Sequence, residues 1–352
     1  MRKTIFYIVA IVIACLLMFK IWTKNQNNSK TSFTRNFIDM KIKMENVLNI
    51  PNPLFSFAGK TNENVILGNY SDHFNLFKIN YTVNRLDTLS IKFPTEFNVN
   101  CHNIFNDFQS PNIYSGNTMG DISVSGRSST ELYKVKGILF DDLKGISNKT
   151  IVVRARNDYG LEQNLALIKL NLLKKVKIEK KFPLPKTVNG IFSNDGWLFY
   201  DQKYSRIFYM YFYKGEFLSL DTNLNLLYKA KTIDTVNVAK IKVSIFSTKT
   251  ADGKMVKKIT PTTPPLVVND FITTSGEYVY IISRLKADNE KQSEFADNQP
   301  IDVYGVKDGK YLYSFYIPKY KGNKLYQFKI VGKKILAIFE KNLITYNFKG
   351  IS

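Results

Sequence analysis

RIFYMYFYKGEFLSLDTNLNLLYKAK (206–231) decides the fold. Residues 207–213 are almost wholly aromatic and aliphatic. Lys214 and Gly215 then make a turn, 217–220 a second apolar run, Asp221, Thr222 and Asn223 a second turn, and 224–231 a third run. β-branched and aromatic residues between Gly, Asp and Asn punctuation predict three antiparallel strands in a meander. A preceding strand is expected near 196–200, which makes the stretch strands two to four of a four-stranded unit.

Weaker copies of its second half recur along the chain as strand, turn and strand, often closed by proline. They are LFKINYTVNRLDTLSIKFP (76–94), ELYKVKGILF (131–140), LALIKLNLLKKVKIEKKFP (165–183), FLSLDTNLNLLYKAKTID (217–234), IDVYGVKDGKYLYSFYIP (301–318) and a truncated NLITYNF (342–348). Hairpins at 64–70, 150–156, 197–213 and 278–284 supply candidate first and second strands. Four strands every few tens of residues is the cadence of propeller blades. The expectation is an all-β fold, a β-propeller of six blades over residues 54–352, with 54–60 (LFSFAGK) closing the last blade. KIKVSIFS (240–247) is a spare strand in the long gap before 301, which keeps seven blades as the alternative.

The chain has 352 residues and a formal charge of +21. Hydrophobic residues make up 44%, which is ample for a packed core and argues against global disorder. The positive charge is spread thinly, in runs no longer than Lys257-Lys258, so nucleic acid is not an expected partner. Residues 1–24 carry Arg2 and Lys3 ahead of an apolar run, which about 18 residues as a helix extend to roughly 27 Å, near the thickness of a bilayer core. This predicts a transmembrane signal-anchor in the inner membrane, with the body in the periplasm. The alternative is a lipoprotein at the cell envelope. Val12-Ile13-Ala14-Cys15 is similar to a lipobox, with Cys15 as the lipidated residue, although the greasy 16–19 departs from that pattern. Residues 25–53 read as a linker or stalk, with a short helix suggested by Phe37, Ile38, Ile42, Val47 and Leu48.

Units such as FLSLDTNLNLLYKAKTID and IDVYGVKDGKYLYSFYIP make the chain resemble membrane-anchored or lipoprotein six-bladed β-propeller-like proteins of Gram-negative bacteria. The resemblance spans most of residues 54–349. It implies a propeller outside the cytoplasm and brings no catalytic residue with it.

Candidate chemistry is sparse. His73, Cys101 and His102, with Asp72 and Asp107 nearby, are the conceivable metal ligands, yet adjacent strand residues such as Cys101 and His102 point to opposite faces, and no paired ligand spacing is present. No catalytic or cofactor-binding residue is assigned, and no cofactor is expected, although calcium in a propeller channel needs no histidine and stays open. Asp221–Asn225 has calcium-loop-like oxygens but lacks the later Gly and Glu, so it reads as a turn. Arg154 and Arg156 alternate along one strand and present both guanidinium groups to one side, near Asp141, Asp142 and Asp158. They are the candidate anion-binding pair. Long polar loops at 248–265 and 286–300 are candidate binding surfaces. The functional expectation is a non-catalytic binding or scaffold module engaging an envelope protein, a peptide or a glycan. One alternative is a calcium-dependent hydrolase, lyase or dehydrogenase with its site in the channel. The other is an accessory subunit of an envelope redox or maturation system, in which Cys101 would matter.

Overall fold

A computed structural model describes residues 31–50, 54–101, 103–157, 163–171, 176–185, 192–249 and 255–349. Its first strand is β1 (Ile42–Asn49). A first four-stranded unit follows, β2 (Phe55–Lys60), β3 (Asn64–Asn69), β4 (Asp72–Asn80) and β5 (Leu86–Ser90). The second unit is β6 (Ile104–Gln109), β7 (Asn112–Asn117), β8 (Asp121–Ser125) and β9 (Thr130–Lys134). The third is β10 (Ile138–Ser147), β11 (Thr150–Asn157), β12 (Gln163–Leu170) and β13 (Val176–Pro183), and the fourth is β14 (Gly196–Asp201), β15 (Arg206–Tyr211), β16 (Glu216–Asp221) and β17 (Leu226–Lys231). A hairpin, β18 (Val243–Lys249) and β19 (Met255–Pro261), precedes the fifth unit, β20 (Asn269–Ser275), β21 (Tyr278–Ser283), β22 (Asn298–Gly305) and β23 (Tyr311–Pro318). The one-and-a-half-turn helix α1 (Gln292–Asp297) lies between β21 and β22. The sixth unit is β24 (Leu325–Val331), β25 (Lys334–Phe339) and β26 (Asn342–Phe348), completed by β1. Each unit is an antiparallel meander, and the first two are fused by a short parallel pairing of β2 with β6.

The meander at 206–231 explains why the units stack. Ile207, Tyr209 and Tyr211 pack with Leu165 and Leu167 of the third unit, whereas Phe208 and Met210 pack with Ile281 and Tyr304 of the fifth. A strand apolar on both faces must be covered on both, and each fully buried aromatic contributes about 1.5–3 kcal/mol. The same holds around the molecule. Six apolar clusters each join two successive units, and one of them joins the sixth (Leu336, Ile338, Leu343) to the first (Phe55, Val65, Leu67). The result is a closed, all-β, propeller-like ring of six units.

Several expectations are corrected. Residues 54–60 do not close the last unit. Phe55 and Ala58 are buried between units, which fixes this segment as an inner strand. The closing strand is β1, from the region read as linker, with Val47 opposite Ile344 and Asn49 opposite Asn342. No short helix forms there, because the open edge of β26 offers a complete ladder of partners to a weakly amphipathic segment. Ahead of it, residues 31–38 run along unit five, where Ser314 N donates to Asn36 O at 2.8 Å and Ile38 N to Ser314 O at 2.9 Å. The spare strand does not make a seventh unit: among the described residues β18 pairs only with β19, and the two form an inserted hairpin, which leaves six units. ELYKVKGILF straddles β9 and β10, so this copy joins two units rather than lying within one.

Arg35 pins the arm down. Its side chain is buried, and all five guanidinium hydrogens find acceptors. Nε donates to Asp302 Oδ1 at 2.7 Å, Nη1 to Glu290 and to Leu285 O at 3.0 Å, and Nη2 to Ser283 Oγ at 2.8 Å and Asp302 Oδ2 at 3.2 Å. Burial opposes the charge, but Asp302 and Glu290 outweigh it and raise the guanidinium above its ordinary value. The loop at 286–300 is thus partly structural: Asp288 also accepts Thr31 N at 2.7 Å.

Among the described residues no helix is long and apolar enough to cross a membrane. The expected membrane segment, with Cys15, lies outside the described residues, as do His102 and Asp158.

Candidate functional site: the central channel

The inner strands β2, β6, β10, β14, β20 and β24 surround a channel with a cavity toward each end. One, of about 270 Å³, takes in Tyr70, Asn106, Asp141, Asp142, Arg154 and Asp195. The other, of about 370 Å³, takes in Lys60, Asp107, Lys144, Asp201, Lys203 and Lys329 together with Phe57, Trp197 and Phe199. Glycine is required where inner strands touch: a Cβ at Gly59 would lie 2.2 Å from Phe108 O.

At the smaller cavity the expected arginine pair is present and engaged. Arg154, on β11, reaches across to the carboxylate of Asp195 and donates to Gly196 O at 2.8 Å. Arg156 holds Asp141 through Nε at 2.8 Å. The two arginines share a strand face as expected, but each already has a carboxylate, and only Arg154 lines the cavity. One buried donor, Arg154 Nε, has no hydrogen-bond partner among the described residues. Burial opposes the Arg154 charge, yet Tyr209, Asp195, Asp141 and Asp142 raise the guanidinium above its ordinary value. Burial pushes the Asp141 carboxyl up, against Arg154 and Arg156.

Between the cavities, Lys144 pairs with Asp142 at 3.0 Å. Asp107 is fully buried and accepts Gly145 N at 2.9 Å and Gln109 Nε2 at 3.2 Å. Burial drives its carboxyl up, against the pull of Lys144. Lys144 is the converse case: burial opposes its charge, and Asp142 with Asp107 raise it. Lys329, half-buried in the larger cavity, has no ion pair or hydrogen bond among the described residues. Its ammonium lies 5.8 Å from the Phe57 ring centroid. Burial, with Lys60 and Lys144, lowers its pKa to about 8.

Sequence reasoning did not single out Lys329, Lys60, Asp195 or Trp197. The available signal for Lys329 was a lone cation inside LYQFKIV, an otherwise largely buried strand. The turn reading of Asp221 holds: its Oδ1 accepts Asn223 N and Asn225 N, each at 2.8 Å, so the carboxylate is taken by its own loop. Elsewhere, His73 is half-buried, with Nδ1 unpartnered, and burial lowers its pKa against the influence of Asp72. The Cys101 thiol is raised by burial and donates to Asn98 O at 3.3 Å. Among the described residues no three His, Cys, Asp or Glu side chains are grouped to hold a metal ion.

No known family profile matches the chain, and no curated protein does either. Solved structures do. A Neurospora crassa Pan2 WD40 domain is 10% identical, covering 90% of this chain and 98% of that one, with a TM-score of 0.46. The Myceliophteria thermophila Cps50 (Swd1) β-propeller domain is 7% identical over 88% of this chain and 100% of that one, at 0.45. A member of the DUF4221 family from Bacteroides vulgatus is 12% identical, covers 90% of this chain and 99% of that one, and has a TM-score of 0.54. At that identity the likeness is one of fold, and the fold it supports is the all-β propeller.

Proposed function

We propose that the chain is a non-catalytic, membrane-anchored binding or scaffold propeller outside the cytoplasm that engages another protein of the cell envelope, with a peptide or glycan as the alternative ligand. The hairpin β18–β19 carries this reading. It is inserted between units four and five, pairs with neither, and leaves Ile245 and Phe246 62% and 56% exposed. Adjacent on a strand, the two point to opposite faces, so each face of the hairpin holds one large apolar side chain away from the core, where a partner that grips the hairpin would cover both. The anchor is the apolar segment 1–24, in the inner membrane with the ring in the periplasm, or else a lipid on Cys15.

The alternatives have less support. A calcium-dependent enzyme would draw on the channel carboxylates, of which Asp141, Asp142 and Asp195 are in ion pairs with Arg156, Lys144 and Arg154, while Asp107 and Asp201 already accept hydrogen bonds from their own surroundings. An accessory role in redox or maturation would draw on Cys101, whose raised thiol favours the unreactive protonated form. Anion binding by Arg154 and Arg156 remains a proposal in which a ligand competes with Asp195 and Asp141 and uses the spare Arg154 Nε.

Crosslinking in the native membrane tests the reading. A discrete partner captured by the natural chain should be lost from Ile245→Asp/Phe246→Asp. An unchanged capture pattern, or no partner together with turnover of a small substrate by purified protein, would overturn it. Cys15→Ser leaves membrane association intact if 1–24 is the anchor and abolishes it if the lipid is.

A further inference from the structure

The larger cavity has a charge imbalance that its own residues leave uncompensated. Four lysines line it, Lys60, Lys144, Lys203 and Lys329, against two carboxylates, Asp107 and Asp201. Both carboxylates are occupied by neutral donors. Asp107 takes Gly145 N and Gln109, and Asp201 takes Tyr204 N at 2.9 Å and the Thr274 hydroxyl. Only Lys144 has an ion-pair partner, Asp142. Lys203 is exposed and lies over the Tyr204 ring. Lys60 and Lys329 have no anionic partner among the described residues.

Beside these ammonium groups stand aromatic rings. Phe57 faces Lys329, and Trp197, packed edge-on against Phe271 at 5.1 Å, lies on the same wall as Phe199. An ammonium without a counter-ion in a walled cavity is costly, and a cavity of about 370 Å³ has the size and mixed lining of a small-molecule site. The complement of this arrangement is a carboxylate on a flat apolar body.

We infer that the channel cavity binds a small organic anion with a planar apolar body, its carboxylate held by Lys329 and Lys60 and its ring among Phe57, Trp197 and Phe199. This goes beyond the envelope-binding role, which uses the outer hairpin and would stand or fall separately. The groups facing Lys329 are Lys60 from β2, Asp107 from β6, Lys144 from β10 and Asp201 from β14. β20 contributes only uncharged residues. Near neutral pH the Lys329 ammonium is present but weakly held, so an anion bound beside it strengthens its hold on the proton.

The test uses Trp197 as reporter. The chain has two tryptophans, so Trp22→Phe in the full-length protein makes Trp197 the sole indole. The probes are 4-nitrobenzoate and its neutral analogue 4-nitrobenzamide, both contact quenchers. Saturable quenching by the benzoate is expected, with the amide at least about tenfold weaker. Lys329→Met should weaken the benzoate about tenfold or more and leave the amide unchanged, with the thermal midpoint measured alongside. Should Lys329→Met fail to fold, Lys60→Gln at the exposed rim serves instead, with a smaller, roughly threefold loss. Unsaturable quenching, equal affinity for acid and amide, or unchanged binding in a folded variant would overturn the inference.

Discussion

Replacing Arg35 by methionine isolates what holds the arm to the ring. Met keeps most of the apolar stem and removes the guanidinium, leaving Glu290 and Asp302 buried without their cation. Glu290 retains Tyr316 and Ala287 N as donors, and Asp302 retains Ser314 Oγ at 2.6 Å. These hydrogen bonds soften the loss but do not neutralise two charges. Breaking a buried pair from one side costs about 3–5 kcal/mol. For a body of this size roughly 2 °C accompanies each kcal/mol, so the thermal midpoint should fall by about 6–10 °C. The arm, freed from unit five, should also become sensitive to protease between residues 31 and 41. The decisive comparison is Arg35→Met/Glu290→Gln/Asp302→Asn, in which no charge is buried. It should recover more than half of the lost midpoint, because removing a whole ion cluster is far milder than orphaning part of it. A single variant within 2 °C of the natural protein, or a triple variant that falls as far as the single one, would refute this account of the clamp.

Gly309→Ala should lose about 2–4 kcal/mol in thermal or urea unfolding, because φ is +68° there and a Cβ would lie 2.5 Å from Ala230 and 2.7 Å from the Tyr228 ring. Burial tends to raise the Asp221 carboxyl, but the Asn225 and Asn223 N–H groups outweigh it and hold it below its ordinary value. Its contribution is therefore present above an unfolded pKa of about 3.9 and lost as pH falls through the lower folded value. The midpoint gap between Asp221→Asn and the natural protein should accordingly narrow from pH 6 to pH 3. In the channel, 4-nitrobenzoate affinity should decline as pH rises through about 8, where Lys329 gives up its proton, and Lys329→Met should remove that dependence.

The fold was legible where strands are buried on both faces by hydrocarbon. At 206–231 nearly every residue from Ile207 to Tyr211 is apolar and buried, so the pattern is continuous. The second unit hid for the opposite reason. Its strands bury Asp107, Ser115, Asn117, Asp121 and Ser123, and Asn117 and Asp121 satisfy one another through Asp121 N at 2.9 Å and Asn117 Nδ2 at 3.1 Å. Strands that bury polar residues in place of hydrocarbon, such as Asp121-Ile122-Ser123-Val124, give only a weak apolar pattern, so ELYKVKGILF reads as a partial copy although it spans the end of β9 and the start of β10. The arm was hidden by distance: TSFTRNF reads as solvated linker, and only partners more than 240 residues away make Arg35 a core residue. At the site, the arginine pair was visible from its alternation, whereas Lys329 acquires its meaning from five other strands that no local pattern reveals.

The pairing of β1 with β26 sets a schedule as well as a shape. Residues 42–49 are among the first of the ring to be synthesised, and their partners, 342–348, are the last. At roughly 5–20 residues per second this is a wait on the order of 15–60 s. Throughout it the opening strand has no ladder to join, and the first unit has no neighbour for Val65 and Leu67. Closure thus waits on the last strand of the ring: a product truncated before residue 342 leaves β1 without its partner and β25 with an open edge, and unpaired edges of this kind invite pairing with other chains.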